Sequence, residues 1–462
     1  MAFHTLGCKV NQSDTAGLAG AFLAAGYQIV PFDQPADVYV VNTCTVTNTG
    51  AKKSRQTLRQ AVERARQAGR DGVVAAVGCY AQVAPEQVAA IPGVDVVVGT
   101  RERHRLVELV ERALRDRALP AGKPLVAVAP HPPEEAFEAP AVAPWHGRAR
   151  ATLKIQEGCQ QHCTYCQVPL ARGPERSLPP ERVQEAVRDL WDRGYREIVL
   201  VGIHLGAYGR DLGGDLDLAG LLAQLAAMDG PGRFRLGSVE PHDVTAALVD
   251  VLADNPGRIC PHVHLPLQSG DDEILRRMAR RYRTADYARR VDALRRKLPD
   301  VAISTDLIVG FPGESEERFR QSLRFVEEME FSRIHAFPYS PRSGTAAARF
   351  PQQVPSAEKH RRLKEVEALA HSAAESYARR FLGRELEVLL ETAGPAPDPP
   401  VFRGTSAHYL TVDVALPPQS PVAFEGLAQP GTLARALAEA IQGRDTEGWP
   451  LLRAKWAGAS RN

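Results

Sequence analysis

Between residues 151 and 381, short apolar runs alternate six times with longer segments of helical periodicity. No other feature constrains the fold as much. The predicted strands are TLKIQ, EIVLVG, RFRLGSV, ICPHVHL, AISTDLIVG and SRIHAFPY, and helical patterns lie near 180–194, 217–228, 244–254, 271–297, 314–330 and 356–381. Six βα units in a row predict a parallel α/β domain over residues 149–382, either barrel-like or doubly wound. Right-handed crossovers place the helices outside and bring the C-terminal strand ends to a common mouth.

The flanks have different textures. Residues 1–117 also alternate, with AFHTLG, DVYVVNT and GVVAAVG each leading into a helical segment, which predicts a smaller parallel α/β domain. Residues 118–148 hold seven prolines and little periodicity and read as a linker. After Gly383, the runs ELEVLLET, VFRGTSAHYLTVDVAL and PVAFEG alternate apolar and polar residues between turns. They predict a small antiparallel β-domain, a barrel, over 383–456. No apolar run is long enough to span a bilayer, and MAFHTLGCKV has no basic-then-apolar leader pattern, so a cytoplasmic location is expected.

Seven cysteines in 462 residues are too sparse for a disulfide scaffold and point to metal or catalytic use. Three of them, in GCQQHCTYC, are Cys159, Cys163 and Cys166, directly after the first strand of the middle domain. Soft thiolates at this spacing suit an iron–sulfur cluster or zinc. A structural zinc would need a fourth ligand such as His162. A [4Fe–4S] cube on three thiolates leaves one iron open. Cys8, Cys44 and Cys79 are remote in sequence, yet each ends a predicted strand (HTLGC, VVNTC, AAVGC), so a parallel sheet brings them to one edge. They read as a second three-thiolate set, and Cys260, inside a strand, reads as core.

Other strand ends offer candidates for a small-molecule mouth. They are Gly202 and His204 in VGIHLGAYG, Gln268 and Ser269 in HLPLQSG, and Asp306 and Gly310 in DLIVGFPGE. The net charge of +2 selects no partner, but residues 52–70 carry seven Lys/Arg against Glu63 alone, and 276–297 is rich in arginine. Such runs are solvated helix faces or phosphate-contacting surfaces.

The motifs together resemble the radical S-adenosylmethionine superfamily and, more narrowly, its methylthiotransferases over nearly the whole chain. The matching pieces are TLGCKVNQSD, VNTCTVT, VGCYAQ, EGCQQHCTYCQVPLARGPERS, HLPLQSGDDEIL and DLIVGFPGE. The resemblance implies a six-unit βα partial barrel and a C-terminal TRAM-like barrel. It implies a radical cluster on Cys159, Cys163 and Cys166 whose free iron chelates S-adenosylmethionine, and an auxiliary [4Fe–4S] cluster on Cys8, Cys44 and Cys79 that presents sulfur. Reductive cleavage of S-adenosylmethionine would give a 5′-deoxyadenosyl radical able to attack an aromatic C–H. A low-potential donor such as a flavodoxin or ferredoxin would supply the electron. LGCKVNQ most resembles the branch acting on threonylcarbamoyladenosine in tRNA; the alternatives are the isopentenyladenosine branch and the branch modifying a ribosomal-protein aspartate. A metal-stabilised RNA-binding or electron-transfer protein without catalysis is the reading from another class. Residues 383–462 hold seven Lys/Arg against nine Asp/Glu, so an RNA face there is expected to be local, around Arg403, His408 and Tyr409, with Lys52, Lys53, Arg55 and Arg59 contributing from the first domain.

Overall fold

The computed structural model describes residues 1–67, 72–115, 123–134, 136–138, 149–397, 400–417 and 429–460. The N-terminal region is a five-stranded parallel sheet in chain order: β1 (Ala2–Thr5), β2 (Val38–Thr43), β3 (Val73–Gly78), β4 (Val96–Val98) and β5 (Leu125–Ala127). Alternate residues serve opposite faces. Val38 and Val40 pack with Leu18 and Phe22 of the helix Lys9–Ala24, whereas Tyr39 and Val41 pack with Leu58 and Val62 of the helix Asn48–Gln67. Both faces are covered, which is why β2 and β3 are buried throughout. β5 comes from the segment read as a linker. The short run LVA pairs with β4 despite the prolines around it, and three residues are too few for periodicity to reveal.

The central wall is built from β6 (Ala151–Lys154), β9 (Glu197–Val201), β10 (Arg233–Leu236), β11 (His262–His264), β12 (Ala302–Val309) and β13 (Arg333–Pro338); a hairpin of β7 (Gln156–Glu157) and β8 (Arg176–Ser177) follows β6. β6-β9-β10 and β11-β12-β13 are three-stranded parallel sheets, joined by parallel bridges Phe234–Ile259 and Ser238–His264. Strand order therefore follows chain order without the reversal of a doubly wound sheet. No pairing closes β13 onto β6 among the described residues, so the wall is a partial barrel. Ile198 and Leu200 face the helices, while Val199 and Val201 face inward and meet Val10, so the N-terminal region covers the concave side.

β14 (Glu385–Pro397), β15 (Pro400–Ser406), β16 (Thr411–Ala415), β17 (Leu433–Arg444) and β18 (Pro450–Ala459) form a closed barrel in the order β14-β15-β16-β18-β17. All its pairs are antiparallel except β16 with β18. The predicted run PVAFEG lies outside the described residues. The turn between β15 and β16 caps the base of the central wall: Arg233 donates to the Thr405 carbonyl at 3.2 Å, Arg235 to those of Ser406 and Ala407 at 3.0 Å, and Arg333 to that of Tyr409 at 2.8 Å. Between Arg233 and Arg235 lies buried Glu197, bonded to both.

Candidate cluster sites

All seven cysteines are free thiols. Cys260 is in the core at 1% exposure. The other six form two sets. Cys8 and Cys44 lie close enough to Cys79 to raise its thiol pKa, and Cys159 and Cys163 lie close enough to Cys166 to raise its own. Burial pushes Cys79 and Cys166 up to about 12, and Cys44 and Cys163 also move up. A thiolate buried in that way is costly alone and becomes favourable when a metal replaces its proton. Two soft donor sets of three, with no disulfide, fit iron–sulfur clusters better than hard-ligand metals.

Glycines prepare these positions. Gly7, Gly78 and Gly158 precede Cys8, Cys79 and Cys159 at φ of +100°, +98° and +77°. A Cβ on Gly7 would lie 3.0 Å from the Cys44 Sγ, one on Gly78 would lie 2.2 Å from Asn42 Oδ1, and one on Gly158 would lie 1.7 Å from the Pro174 carbonyl. The recurring Gly-Cys pair thus turns the chain sharply at a sulfur where no side chain fits.

Each set also has a cation at one sulfur. Arg280 donates to Cys163 at 3.4 Å and is paired with Glu240, although it belongs to the arginine run read as a surface. Arg172, on the short helix Val168–Arg172 that follows the Cys159 set, donates to Cys79 at 3.1 Å in the other domain. Its guanidinium also meets Asp14 at 2.7 Å and Glu157 at 3.0 Å. Lys154 joins the same carboxylates at 2.5 and 2.6 Å, and Arg103 does so at 3.2 and 3.3 Å. Glu138 takes Arg103 at 2.8 Å, so three cations meet three carboxylates, and the Arg172 Nε–H is the donor left for the Cys79 sulfur.

Among the strand-end candidates, His204 joins the first set. It is buried, with Nδ1 2.7 Å from Glu175 and Nε2 2.7 Å from Asp243, and the Gln161 amide lies 3.0 Å away. Burial opposes its protonation, but Asp243, Cys159 and Glu175 outweigh it and raise its pKa to about 11. Cys159, Glu175 and His204 have ligand atoms within 4.8 Å of one another. His162, the suggested zinc ligand, is exposed in a left-handed conformation (φ +52°). Gly202 packs against Gln156, whose side-chain oxygen accepts the His204 N–H at 2.7 Å. Asp306 faces His264 at 3.4 Å inside the barrel; burial resists its ionisation, yet His264, His335 and Arg280 hold its carboxyl below the ordinary range. Gln268 bonds β12 through its backbone at φ +68°. Ser269 and Gly310 serve local turns: the Ser269 hydroxyl takes the Asp271 N–H, and the Gly310 N–H goes to Glu314 at 2.6 Å.

The expected RNA face of the last domain is corrected. His408 is packed on Phe381 with ring centroids 4.7 Å apart, and Tyr409 stacks on His262 at 4.4 Å, because their turn is the plug at the barrel base. Arg403 is taken by Asp413 through two hydrogen bonds of 2.8 and 2.9 Å. On the helix Asn48–Gln67, Lys52, Lys53 and Arg59 are exposed, whereas Arg55 donates to the Tyr80 hydroxyl at 2.8 Å. Arg172, Arg280, Glu240, Gln161, Glu175 and Asp243 were not singled out by sequence. Their only signal was proximity to motifs, since the partners are up to 161 residues away.

A partial barrel with three thiols at its mouth and a second thiol set in the domain docked on it defines a class, the radical S-adenosylmethionine enzymes. Residues 153–326 match the Radical SAM superfamily and residues 1–99 match "Uncharacterized protein family UPF0004". The chain is 42% identical over 414 residues to the threonylcarbamoyladenosine tRNA methylthiotransferase MtaB of Bacillus subtilis, covering 89% of each protein. It is 38% identical to the enzyme of the same name from Thermotoga maritima, over 84% of this chain and 86% of that one. The solved structure of the radical S-adenosylmethionine methyltransferase TsrM from Kitasatospora setae shares the fold, with a TM-score of 0.56, 15% identity, and 75% and 76% of the two chains covered. The chain belongs to the radical S-adenosylmethionine tRNA methylthiotransferases of the MtaB type. Its cofactors are S-adenosylmethionine and [4Fe–4S] clusters, and its substrate is tRNA. No helix among the described residues is long and apolar enough to cross a membrane.

Proposed function

We propose that this enzyme places a methylthio group at C2 of N6-threonylcarbamoyladenosine beside the tRNA anticodon. Cys159, Cys163 and Cys166 would hold the cluster that binds S-adenosylmethionine, and Cys8, Cys44 and Cys79 the cluster that carries the sulfur to be inserted. When bound, these groups supply the one-electron cleavage of the sulfonium and the sulfur itself. The chain's own residues hold and neutralise them: Arg280 at Cys163, Arg172 at Cys79, and protonated His204, fixed by Glu175 and Asp243, at Cys159. Gln268, after β11, and Asp306, within β12, are proposed to contact S-adenosylmethionine, and a flavodoxin or ferredoxin to deliver the electron.

The observation that carries the reading is the presence of two separate three-thiol sets in docked domains, each with an arginine on one sulfur. Nucleoside mass spectrometry of tRNA from cells with and without this protein tests it. Loss of the 2-methylthio form, with accumulation of N6-threonylcarbamoyladenosine, is expected. Loss of a methylthio group from isopentenyladenosine instead would assign the sister substrate.

A further inference from the structure

Lys9 follows Cys8 directly and opens the helix Lys9–Ala24. An ammonium there opposes the helix macrodipole, whose positive end lies at that terminus, so local helix stability does not account for it. Lys9 is exposed, and its Nζ lies 3.5 Å from the Tyr409 hydroxyl and 5.3 Å from the ring centroid. Arg150, Arg235 and Arg333 surround the same ring at 6.0, 5.0 and 4.8 Å.

These cations differ in what neutralises or occupies them. Arg235 is held by Glu197 and two carbonyls, Arg333 donates to the Tyr409 carbonyl, and Arg150 pairs with Glu391 at 2.8 Å. Lys9 meets the Tyr409 hydroxyl rather than a carboxylate. Lys9 and Arg150 line a cavity of ≈ 250 Å³ where the three domains meet, together with Gln12, Thr152, Thr392 and Glu391. Two cations against one carboxylate leave the lining positive, and two hydroxyls, an amide and the apolar Ala149 and Val199 complete it. That suits a small anionic group bearing hydroxyl or amide functions.

We propose that Lys9 is the specificity-determining residue that receives the carboxylate of the threonylcarbamoyl group, with Arg150 supporting the same charge. This rests on the threonylcarbamoyladenosine reading above. An isopentenyl group offers nothing to pair with Lys9, and binding one would leave the ammonium facing hydrocarbon. The free acid gains a charge-assisted contact one residue from the proposed sulfur-carrying site.

The test is binding of synthetic anticodon stem–loops to the full-length protein by fluorescence anisotropy. One RNA carries N6-threonylcarbamoyladenosine, a second its methyl ester, and a third unmodified adenosine. Wild type is expected to bind the acid roughly tenfold to a hundredfold more tightly than the ester, as for one hydrogen bond to a charged group. Lys9→Met should bring that ratio close to one while binding unmodified RNA as wild type does, and Lys9→Arg should restore most of it. A Lys9→Met protein that keeps the wild-type acid-to-ester ratio overturns the assignment of Lys9 and leaves the substrate reading intact. A wild-type protein that binds all three RNAs equally overturns both.

Discussion

Arg172 donates its Nε–H to the sulfur of Cys79 across 3.1 Å, joining the helix that follows one cysteine set to the other set in a different domain. The same guanidinium holds Asp14 and Glu157, so the contact belongs to the buried charge network that docks the two domains. Domain docking and the electrostatics of the second cluster site therefore share one residue.

Replacing Arg172 should affect both. Arg172→Met leaves Asp14 and Glu157 buried with fewer cations, which costs about 3–5 kcal/mol when a buried pair is broken. A fall in Tm together with reduced iron per chain is expected. Arg172→Lys should recover part of the stability but less of the iron, because an ammonium cannot serve sulfur and both carboxylates with one planar fork. Thermal denaturation and iron analysis of both variants check this.

Gly78→Ala should be more damaging than most glycine substitutions. Its φ is +98°, and the added Cβ would meet Asn42 Oδ1 at 2.2 Å, one residue before Cys79. The variant is expected to fold with cleavage of S-adenosylmethionine retained and methylthio transfer lost. Assaying both products in one reaction separates the two effects.

How much of this was legible in the sequence follows from the range of each interaction. The six βα units and the two cysteine sets were readable because periodicity and strand-end position are local properties. Tyr409 was misplaced because a polar aromatic in a turn looks exposed until the arginines of β10 and β13 are seen to grasp that turn. Arg280 looked like part of a solvated helix for a similar reason, as its partners Glu240 and Cys163 are 40 and 117 residues away. The fifth strand of the first sheet was hidden among prolines, where three paired residues leave no pattern. Strand ends marked where a site would form. Which side chains enter it depends on domain docking, which no local pattern records.

The docking network also sets an acid limit. Burial raises the pKa of Asp14, but Lys154, Arg103 and Arg172 outweigh it and bring the carboxyl to about 2, below its ordinary 3.8. A depressed folded-state pKa contributes stability above the unfolded value, and that contribution is lost as pH falls through the folded one. Stability should therefore be flat from neutrality to about pH 4 and fall steeply toward pH 2, and Asp14→Asn should flatten that limb. Denaturant titrations across this range provide the measurement.

Exposed Lys52, Lys53 and Arg59 are the expected tRNA phosphate contacts of the first domain. Reversing all three to Glu should weaken tRNA binding strongly and reduce the salt dependence by roughly one unit of log–log slope per lost contact. Cleavage of S-adenosylmethionine without RNA should persist. Affinities at two salt concentrations decide the point; an unchanged slope would make this helix face merely solvated.

The central claim is that the two cysteine sets hold separate clusters with separate work, and one variant tests it most directly. Cys8, Cys44 and Cys79 are replaced together by alanine, and the anaerobically purified protein is assayed for iron, 5′-deoxyadenosine and methylthiolated tRNA. The account predicts about half the wild-type iron, continued 5′-deoxyadenosine formation and no methylthio product. Full methylthio product from the triple variant would contradict it.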